Sequence, residues 1–131
     1  MIRGLGTDII EIERVGEMLD KHGEQFLERV FTPGEVEYCG GKAAYLQHYA
    51  GRWAAKEAVM KALGTGWAQG VGFADIEVQT LVSGRPVLQL LGEARQRATQ
   101  LGIGEVLITI SHCRAYATAT AIAMAPVGPV E

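Results

Sequence analysis

The chain has 131 residues, 48% hydrophobic and 21% charged, with a mean hydropathy of +0.11; these globular proportions disfavour a disordered chain and a membrane protein. The length suits one ordinary domain and argues against a two-domain enzyme with a separate cofactor domain. A net charge of -3 disfavours a nucleic-acid binder, so any handling of anions has to be local.

The opening MIRGLGTDII carries no charged segment followed by an apolar core and a cleavage site, and the uncharged run from Ala115 to Val130 is too short to cross a bilayer as a helix. A cytoplasmic protein with no membrane partner is expected. Cys39 and Cys113 form no CxxC pair, so reduced, partly buried thiols are the expectation. A zinc site using Cys113, His112 and a distant His22 or His48 would have a spacing unlike known ligand patterns.

In chain order, residues 2 to 10 are β-branched and apolar around Gly4 and Gly6, which predicts a strand ending near Asp8. Apolar residues at 12, 15, 18 and 19 then follow helical spacing, with an interruption near Gly23. Phe26, Leu27, Val30 and Phe31 continue a helical pattern. Thr32-Pro33-Gly34-Glu35 supplies an N-cap, a proline at the first helical position and a glutamate at the third, a capping box that opens a short helix ending at Gly40-Gly41. From about Ala43 to Leu63 the alanine-rich, proline-free run predicts the longest helix, with Gly64 as its C-cap. A glycine-rich loop, TGWAQGVGFAD, follows. Ile76 to Val82 and Pro86 to Leu91 flank Ser83-Gly84 as a hairpin, Glu93 to Leu101 is a helix, and Val106 to Ser111 and Tyr116 to Met124 are two further strands. The pattern predicts an α+β domain, a mainly antiparallel sheet packed against a long helix. Gly64, Gly66 and Gly70 follow a helix rather than a strand, which disfavours a dinucleotide-binding βαβ unit.

The long helix carries the chemistry. Wound at about 100° per residue, its alanines, Val59, Leu63, Trp53 and Met60 nearly encircle it, yet it also bears Arg52, Lys56, Glu57 and Lys61. Arg52 and Lys56 share one line and Glu57 and Lys61 another, each at i,i+4 spacing. They read either as two solvated lines of charge or as a carboxylate flanked by cations at the wall of a cleft. Mg²⁺ takes few protein ligands besides water and phosphate, so Glu57 plus one carboxylate at a nearby strand end would suffice. Asp8 is that candidate, with a helix cap as its equal alternative. Ser111-His112 invites a hydrolase reading, but neighbours on a strand point to opposite faces and no GxSxG elbow exists. Ser111 is expected to face the core, and His112 to contact phosphate, transfer a proton or serve structurally.

Taken in order, GLGTDIIEIERV, FTPGEVEYC, AGRWAAKEAVMKALGTG, FADIEV with GRPVL, and ITISHCRAYATATAIA resemble the holo-[acyl-carrier-protein] synthases, small bacterial 4'-phosphopantetheinyl transferases. The resemblance covers nearly the whole chain. It implies a single domain of that fold over residues 1–131, assembled as a homotrimer with active sites between protomers. It also implies Mg²⁺-dependent transfer of the 4'-phosphopantetheine arm of coenzyme A to a serine of apo-acyl carrier protein. Position by position, Asp8 and Glu57 would be the metal ligands. Arg52, Lys56, Lys61, Gly64, Thr65 and His112 would contact coenzyme A, and Glu57, Lys61 and His112 would act in catalysis. Arg14, Met18 and Lys21 would meet the carrier protein.

Charge is segregated along the chain. Residues 11–37 hold eight acidic and three basic side chains, a net of -5, whereas residues 42–61 hold four basic and one acidic, a net of +3. The expected phosphate-facing helix is therefore locally positive within an acidic protein. The docking helix departs from the family's basic pattern through Glu17, Asp20, Glu24 and Glu28. Association with an acidic carrier is expected to rest on a few placed contacts rather than on steering.

Overall fold

The computed structural model describes residues 1–64 and 71–128. The chain runs β1 (Ile2–Glu11), α1 (Ile12–His22), α2 (Glu24–Val30), α3 (Pro33–Gly40), α4 (Tyr45–Leu63), a 3₁₀ turn (Phe73–Asp75), β2 (Ile76–Thr80), β3 (Pro86–Leu90), α5 (Gly92–Gln100), β4 (Glu105–His112) and β5 (Tyr116–Met124). The α+β class and antiparallel pairing agree with the sequence pattern. The strands, however, divide into a three-stranded sheet, β1-β5-β4, and a separate hairpin, β2-β3. The predicted glycine-rich loop contains the 3₁₀ turn at its end, and β1 continues past Asp8 to Glu11.

α4 lies across the inner face of the three-stranded sheet, and side-chain size sets how closely. The face of β5 toward the helix is all alanine, Ala117, Ala119, Ala121 and Ala123, each fully or almost fully buried. The helix answers with Ala54, Ala55, Ala58 and Ala62, all buried. The approach to β1 is closer still: a Cβ on Gly6 would lie 1.9 Å from the Ala58 carbonyl oxygen, and one on Gly4 would lie 2.0 Å from that of Ala62. These two glycines let strand and helix backbones touch. Such small-residue packing brings the inward residues of β1, Asp8 among them, against the side chains of α4.

The helical region before α4 follows the predicted punctuation. Gly23, at φ 57°, separates α1 from α2. The capping box of α3 forms as expected, with the Glu35 amide donating to Thr32 Oγ1 at 3.2 Å and the Thr32 amide to Glu35 Oε1 at 2.9 Å. Gly64, at φ 65°, ends α4 in the left-handed conformation that favours glycine. No helix among the described residues is long and apolar enough to cross a membrane.

The outer face of the three-stranded sheet is uncovered in one chain. In register across it stand Leu5, Ile122 and Leu107, then Thr7, Thr120 and Thr109, then Ile9, Thr118 and Ser111. Leu5 and Ile9 are 67% and 61% exposed. Ser111 belongs to this exposed outward row, contrary to the core-facing position expected for it; the even-numbered residues of β4 take the inner face instead.

Candidate active site

Asp8 and Lys61 meet where β1 crosses the last turn of α4. Lys61 Nζ donates to Asp8 Oδ1 at 3.0 Å and to the Thr7 carbonyl at 2.9 Å. The lysine side chain is 56% exposed and the aspartate 17%, so the pair stands at an open rim. Glu57, one turn before Lys61, is half-buried. Its carboxyl is pushed above the usual range by burial and by the charge of Asp8, while Lys61 and Arg14 pull it back down. Two carboxylates from different elements thus share one electrostatic site, and the charge of Asp8 acts on Glu57. A divalent cation relieves that repulsion. Two carboxylates also match the donor count that Mg²⁺ uses when phosphate oxygens and water complete its shell. Among the described residues no cluster of three or more candidate ligands exists; Asp8 and Glu57 are two carboxylates that could hold such a cation. Asp8 makes no helix cap: α1 begins at Ile12 with Glu11 at its N-cap position.

Of the docking candidates, Arg14 lies beside this site. Arg14 is exposed and its guanidinium stacks over the Trp53 ring of α4 at 5.1 Å, close enough for its charge to act on Glu57. Met18 and Lys21 follow at spacings of four and three, which puts all three on one face of α1. Met18 is half-buried against the core and Lys21 exposed.

The second line of charge goes elsewhere. Lys56 has no solvent exposure and forms an ion pair with Glu35 Oε1. Its ammonium also donates to the carbonyls of Phe73 at 3.0 Å and Ile76 at 2.6 Å. All three N–H donors are therefore used internally. Among the described residues the ammonium thus has no free donor for the phosphate contact expected of it; burial pulls its proton affinity down and Glu35 holds it up. Arg52, one turn earlier, is also buried at 4% exposure, which excludes the reading of two solvated lines of charge. One guanidinium nitrogen, Nη2, donates to Thr80 Oγ1 at 2.9 Å, and the group lies 4.4 Å from the Tyr38 ring centroid. Its Nε has no partner among the described residues. Arg52 lines a cleft of about 210 Å³ between Gly34 and Tyr38 of α3 and residues 77–80 of β2.

His112 ends β4 at the sheet edge farther from β1. It is exposed and its Nε2 lies 2.9 Å from Gln47 Nε2 near the start of α4. Two interstrand steps, roughly 10 Å, and one register row separate it from Asp8. One chain therefore does not bring His112 to the carboxylates. Gly64 follows Lys61 closely as the cap of α4, and Thr65 lies outside the described residues.

Sequence reasoning misses Glu35 as the partner of Lys56. Its capping role accounts for it locally, and the signal that could have found it is a lysine inside an apolar helix, which needs a buried carboxylate. Tyr38, Glu77 and Thr80 around Arg52 carry no comparable signal.

The fold and this site define a class: a small α+β protein with paired carboxylates between a glycine-bearing strand and an alanine-rich helix. The 4'-phosphopantetheinyl transferase superfamily matches over residues 4–121. The holo-[acyl-carrier-protein] synthase of Gloeobacter violaceus is 50% identical over 117 residues, 88% of this chain and 88% of its own length. Among solved structures, the holo-[acyl-carrier-protein] synthase of Neisseria meningitidis superposes with a TM-score of 0.87 at 31% identity, covering 95% of this chain and 99% of that one. That of Helicobacter pylori, in complex with coenzyme A, gives 0.81 at 28% identity, covering 92% and 99%. The chain belongs to the 4'-phosphopantetheinyl transferase superfamily and, within it, to the holo-[acyl-carrier-protein] synthase family.

Proposed function

We propose that this enzyme transfers the 4'-phosphopantetheine group of coenzyme A to a serine of apo-acyl carrier protein, releasing adenosine 3',5'-bisphosphate. The observation that carries the reading is the joining of Asp8, Glu57 and Lys61 at one open rim beside the face of α1 that bears Arg14. In this reaction the serine oxygen forms a bond to the phosphorus that bears the pantetheine arm. The bond from that phosphorus to the oxygen of the nucleotide phosphate breaks. Asp8 and Glu57 would hold Mg²⁺, which when bound supplies neutralisation of phosphate charge.

Glu57 would help to deprotonate the carrier serine. Lys61, exposed and long in reach, leaves Asp8 to neutralise the departing bisphosphate. Arg52, Gly64, Thr65 and His112 contribute to holding coenzyme A, and Arg14, Met18 and Lys21 to docking the carrier. The distance between His112 and the carboxylates, and the uncovered face carrying Leu5, Ile9 and Leu107, support an assembly whose neighbouring copies complete each site; the assembly proposed is a homotrimer, in the cytoplasm. Light scattering tests the assembly.

The decisive assay incubates the protein with coenzyme A, Mg²⁺ and apo-acyl carrier protein and weighs the carrier by intact mass spectrometry. A gain of the phosphopantetheine mass supports transfer. Bisphosphate release without that gain would make the enzyme a hydrolase, and absence of product would make it a binding module. Independently of turnover, Mg²⁺ should raise the melting temperature of the wild type and not that of Asp8→Ala/Glu57→Ala.

A further inference from the structure

We infer that the buried Glu35–Lys56 pair is a positioning pair for coenzyme A, setting the two walls between which Arg52 is held without touching the ligand itself. The inference rests on the reading of Arg52 as a coenzyme A contact. Each partner of the pair belongs to one wall of the cleft or to the helix at its floor. Glu35 Oε1 accepts from the Thr32 amide at the start of α3, and Glu35 Oε2 accepts from the Val78 amide of β2 at 2.8 Å. Lys56, from α4, grips the carbonyls of Phe73 and Ile76 where β2 begins. Thr32 Oγ1 adds a bond to Glu77 Oε2 at 2.6 Å, again from α3 to β2.

Arg52 in turn takes one contact from each wall, the Tyr38 ring of α3 and Thr80 Oγ1 of β2. Among the described residues the hairpin carrying β2 has no hydrogen-bonded strand neighbour in the main sheet, so this network, together with the core packing of Ile76 and Val78, registers it against α4. A shift of β2 relative to α3 therefore moves both groups that orient the guanidinium. Lys56 uses all three of its donors, and both it and Glu35 lie at essentially no exposure, where neither can reach a ligand.

Glu35→Gln tests this by sign. If Lys56 were itself a phosphate ligand, releasing it from the Glu35 charge would tighten coenzyme A binding. As a positioning pair, its loss should raise the KM for coenzyme A roughly ten-fold while kcat and the KM for apo-carrier stay within about three-fold. In a cycle with Arg52→Lys, which loses the fixed planar fork, the double variant should be little worse than Arg52→Lys alone, because both act through one guanidinium. Val106→Ala in β4, away from the cleft, controls for lost stability and should leave the KM unchanged at a temperature where all variants are folded. If Glu35→Gln does not fold, Glu35→Gln/Lys56→Gln, which leaves neither charge unpaired, takes its place with the same expected direction.

A lowered KM, additive effects in the cycle, or the same KM change in Val106→Ala would overturn the inference while leaving the wild-type reaction standing. A wild type that neither transfers the arm nor binds coenzyme A would overturn the proposed function, and the inference with it.

Discussion

The two lines of charge on α4 have the same i,i+4 spacing and reach opposite ends. Glu57 and Lys61 emerge at a rim with Asp8, where lysine is more than half exposed. Arg52 and Lys56 run inward, and Lys56 is enclosed by Glu35 and two backbone carbonyls. The difference comes from what each line faces: β1 and solvent in one case, α3 and β2 in the other. Lys61 at the rim is open to solvent and Arg52 borders a cleft, whereas Lys56 spends all its donors on the fold. A lysine is therefore no guide to ligand contact until its surroundings are known.

Substitutions on each line should separate these roles. Glu57→Ala is expected to reduce transfer by roughly a thousand-fold with the melting temperature little changed; normal turnover by intact mass would sink the assignment. Lys56→Met should do the reverse first. Leaving Glu35 buried and unpaired costs about 3–5 kcal/mol of stability, readable as a lowered urea midpoint. Lys61→Ala, at the exposed pair, should lose under about 1 kcal/mol of stability yet slow transfer by roughly a hundred-fold. His112→Ala should slow it by roughly ten-fold, measured under the same saturating conditions.

The smallest effect concerns protons near the Arg52 end. Burial, then Arg52, Lys42 and His112, lower the proton affinity of His48 below its ordinary value of 6.5. The unfolded chain thus takes up this proton more readily than the folded one. The associated stability is complete above about pH 6.5 and is lost as pH falls through 6.5 toward the lower folded value. His48→Gln should match the wild type near neutrality and gain on it in acid, as followed by melting temperature against pH.

Much of the fold and of the site is legible in the residues alone. Thr32 and Glu35 sit at the spacing of a capping box, Gly64 at the end of a long apolar helix, and Ala117 to Ala123 alternate with polar or larger residues; each signal is local, and each element forms as read. Asp8, read as a strand end although β1 runs on to Glu11, and Glu57 also stand out, because a carboxylate in an apolar strand and another within a cationic helix are unusual positions for charge. What the pattern misses depends on distant parts of the chain. Glu35 looks complete as a cap, although its second oxygen and its charge belong to β2 and α4. Ser111 is misplaced by pattern because alternation along β4 defines two faces but not which one meets the helix.

By itself the sequence determined the elements, their order, the charge segregation and the carboxylates that are candidates to hold a divalent cation, since these follow from spacing, capping and side-chain chemistry. Only the tertiary structure decided which cations stay available to a ligand. That depends on what packs over each side chain, β1 and solvent beside Lys61 and α3 with the start of β2 around Lys56, because burial with a full set of internal partners makes an ammonium group structural.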